Sequence, residues 1–147
     1  MKFLKGFYYA GRGIVLAVRE RNFRFHLCAM AFVIFFAAKF YDFSRGEWAA
    51  LLLTCGAVLS LEAVNTAIER LCDKLSPKQD PKIGAVKDIA AGAVLISAII
   101  AVAVGVCLFR DVEQLAEIAR FFLNPARLAG LVLAIAGAWC LVFLPKK

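Results

Sequence analysis

The chain has 147 residues, 63% of them apolar and 20% charged, with 18 Lys and Arg against 11 Asp and Glu and a mean hydropathy of +0.78. One domain's length of sequence this apolar excludes a disordered tail, a secreted disulfide scaffold and most soluble globular domains, whose apolar share is nearer half. A net charge of +7 does not point to nucleic acid here, because the basic residues flank long apolar runs, as they do in membrane proteins, rather than lining one polar stripe.

Residues 3–24 alternate apolar and basic positions at helical spacing and predict an amphipathic helix lying in the membrane interface. They lack a short charged cap, a clean apolar stretch and a cleavage site, so no leader is expected to be removed. The first span is predicted over about 25–42, where Leu27 to Ala38 gains length from Phe25, Phe40 and Tyr41 and reaches the ~17 residues that a tilted span needs. The second, about 47–75, starts at Trp48, stays apolar to Leu61 and continues helically through polar residues. The third, about 85–109, is free of charge from Ile89 to Phe109. Asp111 to Leu123 then reads as an interfacial segment or a solvated linker. Asn124-Pro125, an N-cap followed by proline at the first helical position, introduces an additional fourth span over about 126–144. The expected fold is an all-α membrane protein with an amphipathic surface helix and a three-helix core in 1–110, followed by an interfacial segment and an extra span in 111–147.

The basic residues set an orientation. Six fall in 1–24, five in 70–87 and two in the tail, against two in 39–47 and three in 110–127. The positive-inside rule therefore expects both termini and the 70–87 connection in the cytoplasm. Within the third span Ala93, Ser97, Ala101 and Gly105 form a ladder of small side chains, a face on which helices pack closely, with the bulkier Ile96, Ile99 and Ile100 expected to face elsewhere. The five cysteines show no C-x-x-C pair, so neither a zinc site nor a disulfide framework is expected.

The informative anomaly is on the second span. Ionisable groups within a membrane are costly, by ~2.5 to 3.5 kcal/mol each on insertion scales, so each needs a reason. Glu62, Asn65, Thr66, Glu69 and Asp73 share one helical face and form an acidic stripe. Counted from Glu47 at 1.5 Å per residue, Glu62 lies ~22 Å and Glu69 ~33 Å along the helix, against a hydrocarbon core of ~30 Å. Glu62 is thus just inside the inner boundary and Glu69 among the headgroups, on the side where Glu20, Lys87 and Asp88 also lie.

Carboxylates at the wet end suit Mg²⁺, which takes oxygen ligands from one or two carboxylates plus substrate phosphates. A drier carboxylate can accept a proton from a lipid hydroxyl, and Lys74, Lys78, Lys82 and Lys87 can hold phosphate oxygens. That inventory suits phosphoryl transfer. The competing readings are ion pairs of Glu62 and Glu69 with Lys87 or Arg70, or a small transporter or assembly subunit without enzymatic activity. Against a transport path, the outer half of the chain has no intramembrane charge to continue it. Soluble kinase devices are missing: the sequence contains no G-x-x-x-x-G-K-[ST], H-R-D or D-F-G, and Gly11-Arg12-Gly13 lacks the third glycine of a nucleotide loop.

Glu62-Ala-Val-Asn-Thr-Ala-Ile-Glu69, Asp73, Val86-Lys-Asp-Ile-Ala-Ala-Gly-Ala-Val-Leu95 and Glu20-Arg-Asn-Phe-Arg-Phe-His26 together resemble the small bacterial integral-membrane diacylglycerol kinase and undecaprenol kinase family, over about residues 5–109. The resemblance implies an ATP- and Mg²⁺-dependent lipid kinase of the bacterial inner membrane, assembled as a homotrimer, with its active sites at subunit boundaries on the cytoplasmic face. It implies Glu62 as catalytic base and Glu20 with Glu69 as metal carboxylates. Tyr9, Glu20, Glu69, Lys78, Gln79, Asp80, Lys87 and Asp88 would contact nucleotide, and Glu62, Asn65 and Ala91 the lipid. The diacylglycerol kinases tend to carry serine at the position of Ala91, so the resemblance favours undecaprenol as acceptor, with diacylglycerol as the alternative. The fourth span departs from the family core.

Overall fold

The computed structural model describes residues 2–75 and 80–143, with side chains from Leu4 onward. Six helices follow one another: α1 (Lys2–Ala17), α2 (Arg21–Phe40), α3 (Arg45–Leu75), α4 (Pro81–Leu108), α5 (Val112–Phe122) and α6 (Pro125–Phe143). The described residues contain no strand. Four of the helices, α2, α3, α4 and α6, are long and apolar enough to cross a membrane. The chain is an all-α membrane protein, as the hydropathy pattern requires.

Short polar signals start most helices. Ser44 and Glu47 form a capping box at α3, with Glu47 Oε2 accepting from Ser44 N at 2.8 Å and Glu47 N donating to Ser44 Oγ at 3.3 Å. Asp80 caps α4 by accepting from Lys82 N at 2.8 Å, and Pro81 stands at a position where a missing N–H costs nothing. Asp111 accepts from Glu113 N at 2.9 Å at the head of α5, and Asn124 accepts from Ala126 N at 3.0 Å at the head of α6. The segment 111–123 is thereby a capped amphipathic helix rather than a linker.

The structure divides the predicted surface helix. The apolar and basic alternation runs without a break through 3–24, but the helix ends at Ala17, where Arg19 N donates to Leu16 O and Glu20 N to Ala17 O in tighter turns. Glu20 becomes the N-cap of α2, and its carboxylate pairs with Arg70 of α3 instead of capping. The turn leaves Glu20 beside a residue fifty positions further along the chain, a contact that the local pattern does not show.

Helix α3 has 31 residues, about 46 Å at 1.5 Å per residue, so it overshoots a ~30 Å core by about 16 Å. Its main partner is α4, whose buried residues are Ala90, Val94 and Ser97. Ile96, Ile99 and Ile100 point away, 54–62% exposed, as the small-residue ladder leads one to expect. At the end of the bundle away from Glu20 and Glu69, Tyr41 and Phe43 crowd against Phe109 with ring centroids 4.9 and 5.4 Å apart, and Phe43 lies 5.8 Å from Trp48. Aromatic clusters of this kind sit at headgroup level. Helix α6 packs on α2, and Arg24 Nη2 donates to Val142 O at 2.8 Å where α6 ends.

Candidate functional site

The acidic stripe of α3 grades from dry to wet. Glu62, Asn65 and Thr66 are buried, at 3, 5 and 8% exposure, while Glu69 is half-buried and Asp73 exposed. Packing sets this gradient: neighbouring helices cover α3 at Glu62, Asn65 and Thr66 and leave Glu69 and Asp73 progressively open, while each turn toward Leu75 runs about 5.4 Å further along the same face. Asn65 Nδ2 donates to Glu69 Oε1 at 3.1 Å, tying successive turns of the stripe together.

The cations nearest the stripe pair with Asp73 at its outer end and with Glu20 from α2, not with Glu62 or Glu69. Lys87 Nζ reaches Asp73 Oδ1 at 2.6 Å, and Arg70 holds Glu20. Among the described residues no Lys or Arg forms an ion pair with Glu62, so the pairing of Glu62 and Glu69 with Lys87 or Arg70 considered from the sequence is not what the side chains do. The neighbours of Glu62 are instead the Asn22 side chain, in hydrogen-bonding reach, with His26 and Glu69 next in its field. Asn22 and His26 were not singled out from the sequence. Their spacing of four residues at the start of α2 places both on one face, and that was the available signal.

A cleft of about 280 Å³ opens between α3 and α4 beside these groups. Its walls are apolar, including Val64, Ile68, Val86 and Ile89, and Asn65 is the one polar residue in them. Asn65 Oδ1 is buried with no hydrogen-bond partner. A buried acceptor left without a donor is expensive, on the order of 1 to 3 kcal/mol, and marks a place where a hydroxyl can bind.

The other expected site residues fall as follows. Asp80 is exposed and caps α4, and Asp88 is exposed beside Lys87. Tyr9 is 61% exposed on α1, edge-on to Tyr8 at 5.6 Å. Ala91 is exposed and lies outside the lining of the α3–α4 cleft, which uses Ala90 and Ala93 instead. Lys78 and Gln79 lie outside the described residues.

Two carboxylates, Glu20 and Glu69, stand at the wet end. Among the described residues no three His, Cys, Asp or Glu side chains converge to hold a metal by themselves. That donor set fits Mg²⁺, which completes its shell with phosphate oxygens and water, and does not fit zinc.

A family model described as prokaryotic diacylglycerol kinase matches residues 8–109, which include every site residue named above. The chain belongs to the prokaryotic diacylglycerol kinase family. It is 41% identical over 109 residues to the undecaprenol kinase of Bacillus subtilis, covering 74% of this chain and 88% of the relative. It is also 40% identical over 107 residues to a diacylglycerol kinase of Synechocystis, covering 71% of this chain and 61% of that protein. No solved structure matches it. The chain is a lipid kinase of the membrane, and the matched region stops where α4 ends, leaving α5 and α6 outside it.

Proposed function

We propose that this kinase transfers the γ-phosphoryl group of ATP to the terminal hydroxyl of undecaprenol. The observation that carries the reading is Glu62: a carboxylate buried to 3% exposure, without a cation partner among the described residues, one turn from the unpartnered Asn65 Oδ1. The acceptor hydroxyl lies at Asn65 with its hydrocarbon along the apolar α3–α4 cleft. Its oxygen attacks the γ-phosphorus, the bond to the bridging β–γ oxygen breaks, and its single proton, turned from Asn65 Oδ1 to Glu62, passes to that carboxylate while ADP leaves. Lys87, already drawn to the stripe by Asp73, and Asp88 with Asp80 and the neighbouring Lys78 and Gln79 contact the nucleotide, as Tyr9 does from α1. Glu20 and Glu69 would hold the Mg²⁺ of the nucleotide, which when bound neutralises phosphate charge.

The site faces the cytoplasm of the inner membrane, where ATP is, with both termini on that side. Thirteen of the eighteen basic residues assign to it under the positive-inside rule. We expect a cysteine placed at Lys146 of a cysteine-free variant to be labelled by an impermeant thiol reagent only after the cells are opened. Labelling in intact cells would overturn the four-span topology. In this reading the chain assembles as a homotrimer, and Leu95, Ile99 and Val102 of α4, 60–68% exposed, face either lipid or a neighbouring subunit.

The acceptor choice rests on the relative named for undecaprenol and on Ala91. Position 91 lies just outside the cleft lining, so a hydroxyl there would meet a glyceride ester where the headgroup extends beyond the cleft, a bond worth ~0.5 to 1.5 kcal/mol that alanine cannot make and a polyprenol, having no ester, does not miss. We expect undecaprenol to be phosphorylated with kcat/KM up to about tenfold above diacylglycerol, with diacylglycerol still active. The measurement is ³²P transfer from γ-labelled ATP to each lipid in matched mixed micelles. A panel led by diacylglycerol would reverse the choice of acceptor, and transfer to no prenol or glyceride would return the chain to the transporter or assembly-subunit reading.

A further inference from the structure

Helices α5 and α6 build a second cavity, away from the carboxylates. It has a volume of about 400 Å³ and is walled by Ala31 and Phe35 of α2, Phe122 of α5, and Gly130 and Ala134 of α6, with Arg127 the one charged residue lining it. The small residues Gly130 and Ala134 stand one turn apart and hollow the α6 wall; a Cβ at Gly130 would meet no atom within 4 Å. The volume is in the range of sites that take ligands of lipid or drug size.

The charge at the mouth is unusual. Arg127 Cζ sits 4.2 Å from the centre of the Phe121 ring and Lys39 Nζ 5.8 Å from it, so two cations gather at one aromatic ring. Neither has a carboxylate partner among the described residues. Lys39 ends α2 and Arg127 begins α6, at the same end of the bundle as the aromatic cluster of Tyr41, Phe43 and Phe109. The cations are therefore at headgroup level, and the apolar hollow runs inward from them between α2 and α6. At the opposite end the α2–α6 seam is closed by Arg24 on Val142 O.

We propose that this groove holds one acidic phospholipid of the bilayer, its phosphodiester between Lys39 and Arg127 and one acyl chain against Phe35, Gly130 and Ala134. The charge complementarity selects the occupant. A zwitterionic lipid brings its own cation to a place already holding two, whereas an acidic lipid with an uncharged alcohol in its headgroup does not. The site forms where α5 and α6, outside the kinase family match, pack against α2, so it adds a lipid contact separate from the acceptor cleft between α3 and α4.

Purified full-length protein equilibrated with equal phosphatidylglycerol and phosphatidylcholine of the same chains, followed by native mass spectrometry of retained lipid, tests the proposal. Phosphatidylglycerol should be retained about tenfold over phosphatidylcholine, in line with the gain from two basic residues near an anionic headgroup. In Lys39→Gln/Arg127→Gln the preference should fall below about twofold, and Lys39→Arg/Arg127→Lys should keep it. Gly130→Leu, which fills the hollow and leaves both charges, should lower retention of phosphatidylglycerol. ATP-dependent lipid phosphorylation by each variant reports that it is folded. Equal retention of the two lipids by the unaltered protein overturns the proposal, as does a preference that survives in folded Lys39→Gln/Arg127→Gln. Should that variant not fold, unchanged phosphatidylglycerol retention in Gly130→Leu overturns it as well.

Discussion

Glu62→Gln is expected to lower kcat by about 10² or more, because a positioned general base typically supplies 10² to 10⁴, while nucleotide affinity stays within about twofold. The substitution keeps the shape and a hydrogen-bonding group for Asn22, and removes only the capacity to take a proton. Folding should survive, because no Lys or Arg among the described residues pairs with Glu62 and would be left uncompensated in the interior. That separates a base from a structural ion-pair partner, whose loss would appear in the melting temperature at least as strongly as in turnover. Nucleotide affinity lost in Glu62→Gln and retained in Glu69→Gln would exchange the roles given to the two residues.

The stripe was legible in the sequence for a simple reason: all five of its residues are on one helix, where spacing alone fixes the face. Helical rise set the order of these residues from Glu62 outward to Asp73, and their burial falls off in the same order. What periodicity cannot show is which side chain from elsewhere meets that face. Arg70 takes Glu20, and Lys87 takes Asp73, through contacts made only once α2 and α4 are docked on α3. The same limit explains the end of α1. Nothing in the alternation of 3–24 marks Ala17, where the chain turns and places Glu20 beside Arg70. Helix α6 shows a further limit. It is apolar on nearly every face, so its sequence predicts a span but not a docking partner, and its packing on α2 rather than α4 was not readable.

Glu69→Gln and Glu20→Gln should both raise the Mg²⁺ concentration needed for half-maximal activity, by about 10- to 100-fold, since loss even of a group that merely supports a metal ligand has that effect. Turnover should be largely restored at saturating Mg²⁺, unlike in Glu62→Gln. The two carboxylates differ in their present partners, and the difference supplies a control. Glu69 accepts from Asn65 Nδ2, a bond that the glutamine amide oxygen preserves, so the loss there is one of charge alone. Glu20 is held by Arg70, and that pair is partly open to water, with side chains 47 and 40% exposed, so it contributes little to stability. Arg70→Gln frees the Glu20 carboxylate, and if that carboxylate serves the metal, the variant should need no more Mg²⁺ than the unaltered protein. If Arg70→Gln instead copies Glu20→Gln, the ion pair itself is the functional unit. An unchanged Mg²⁺ requirement in both glutamine variants would remove Glu20 and Glu69 from the metal site.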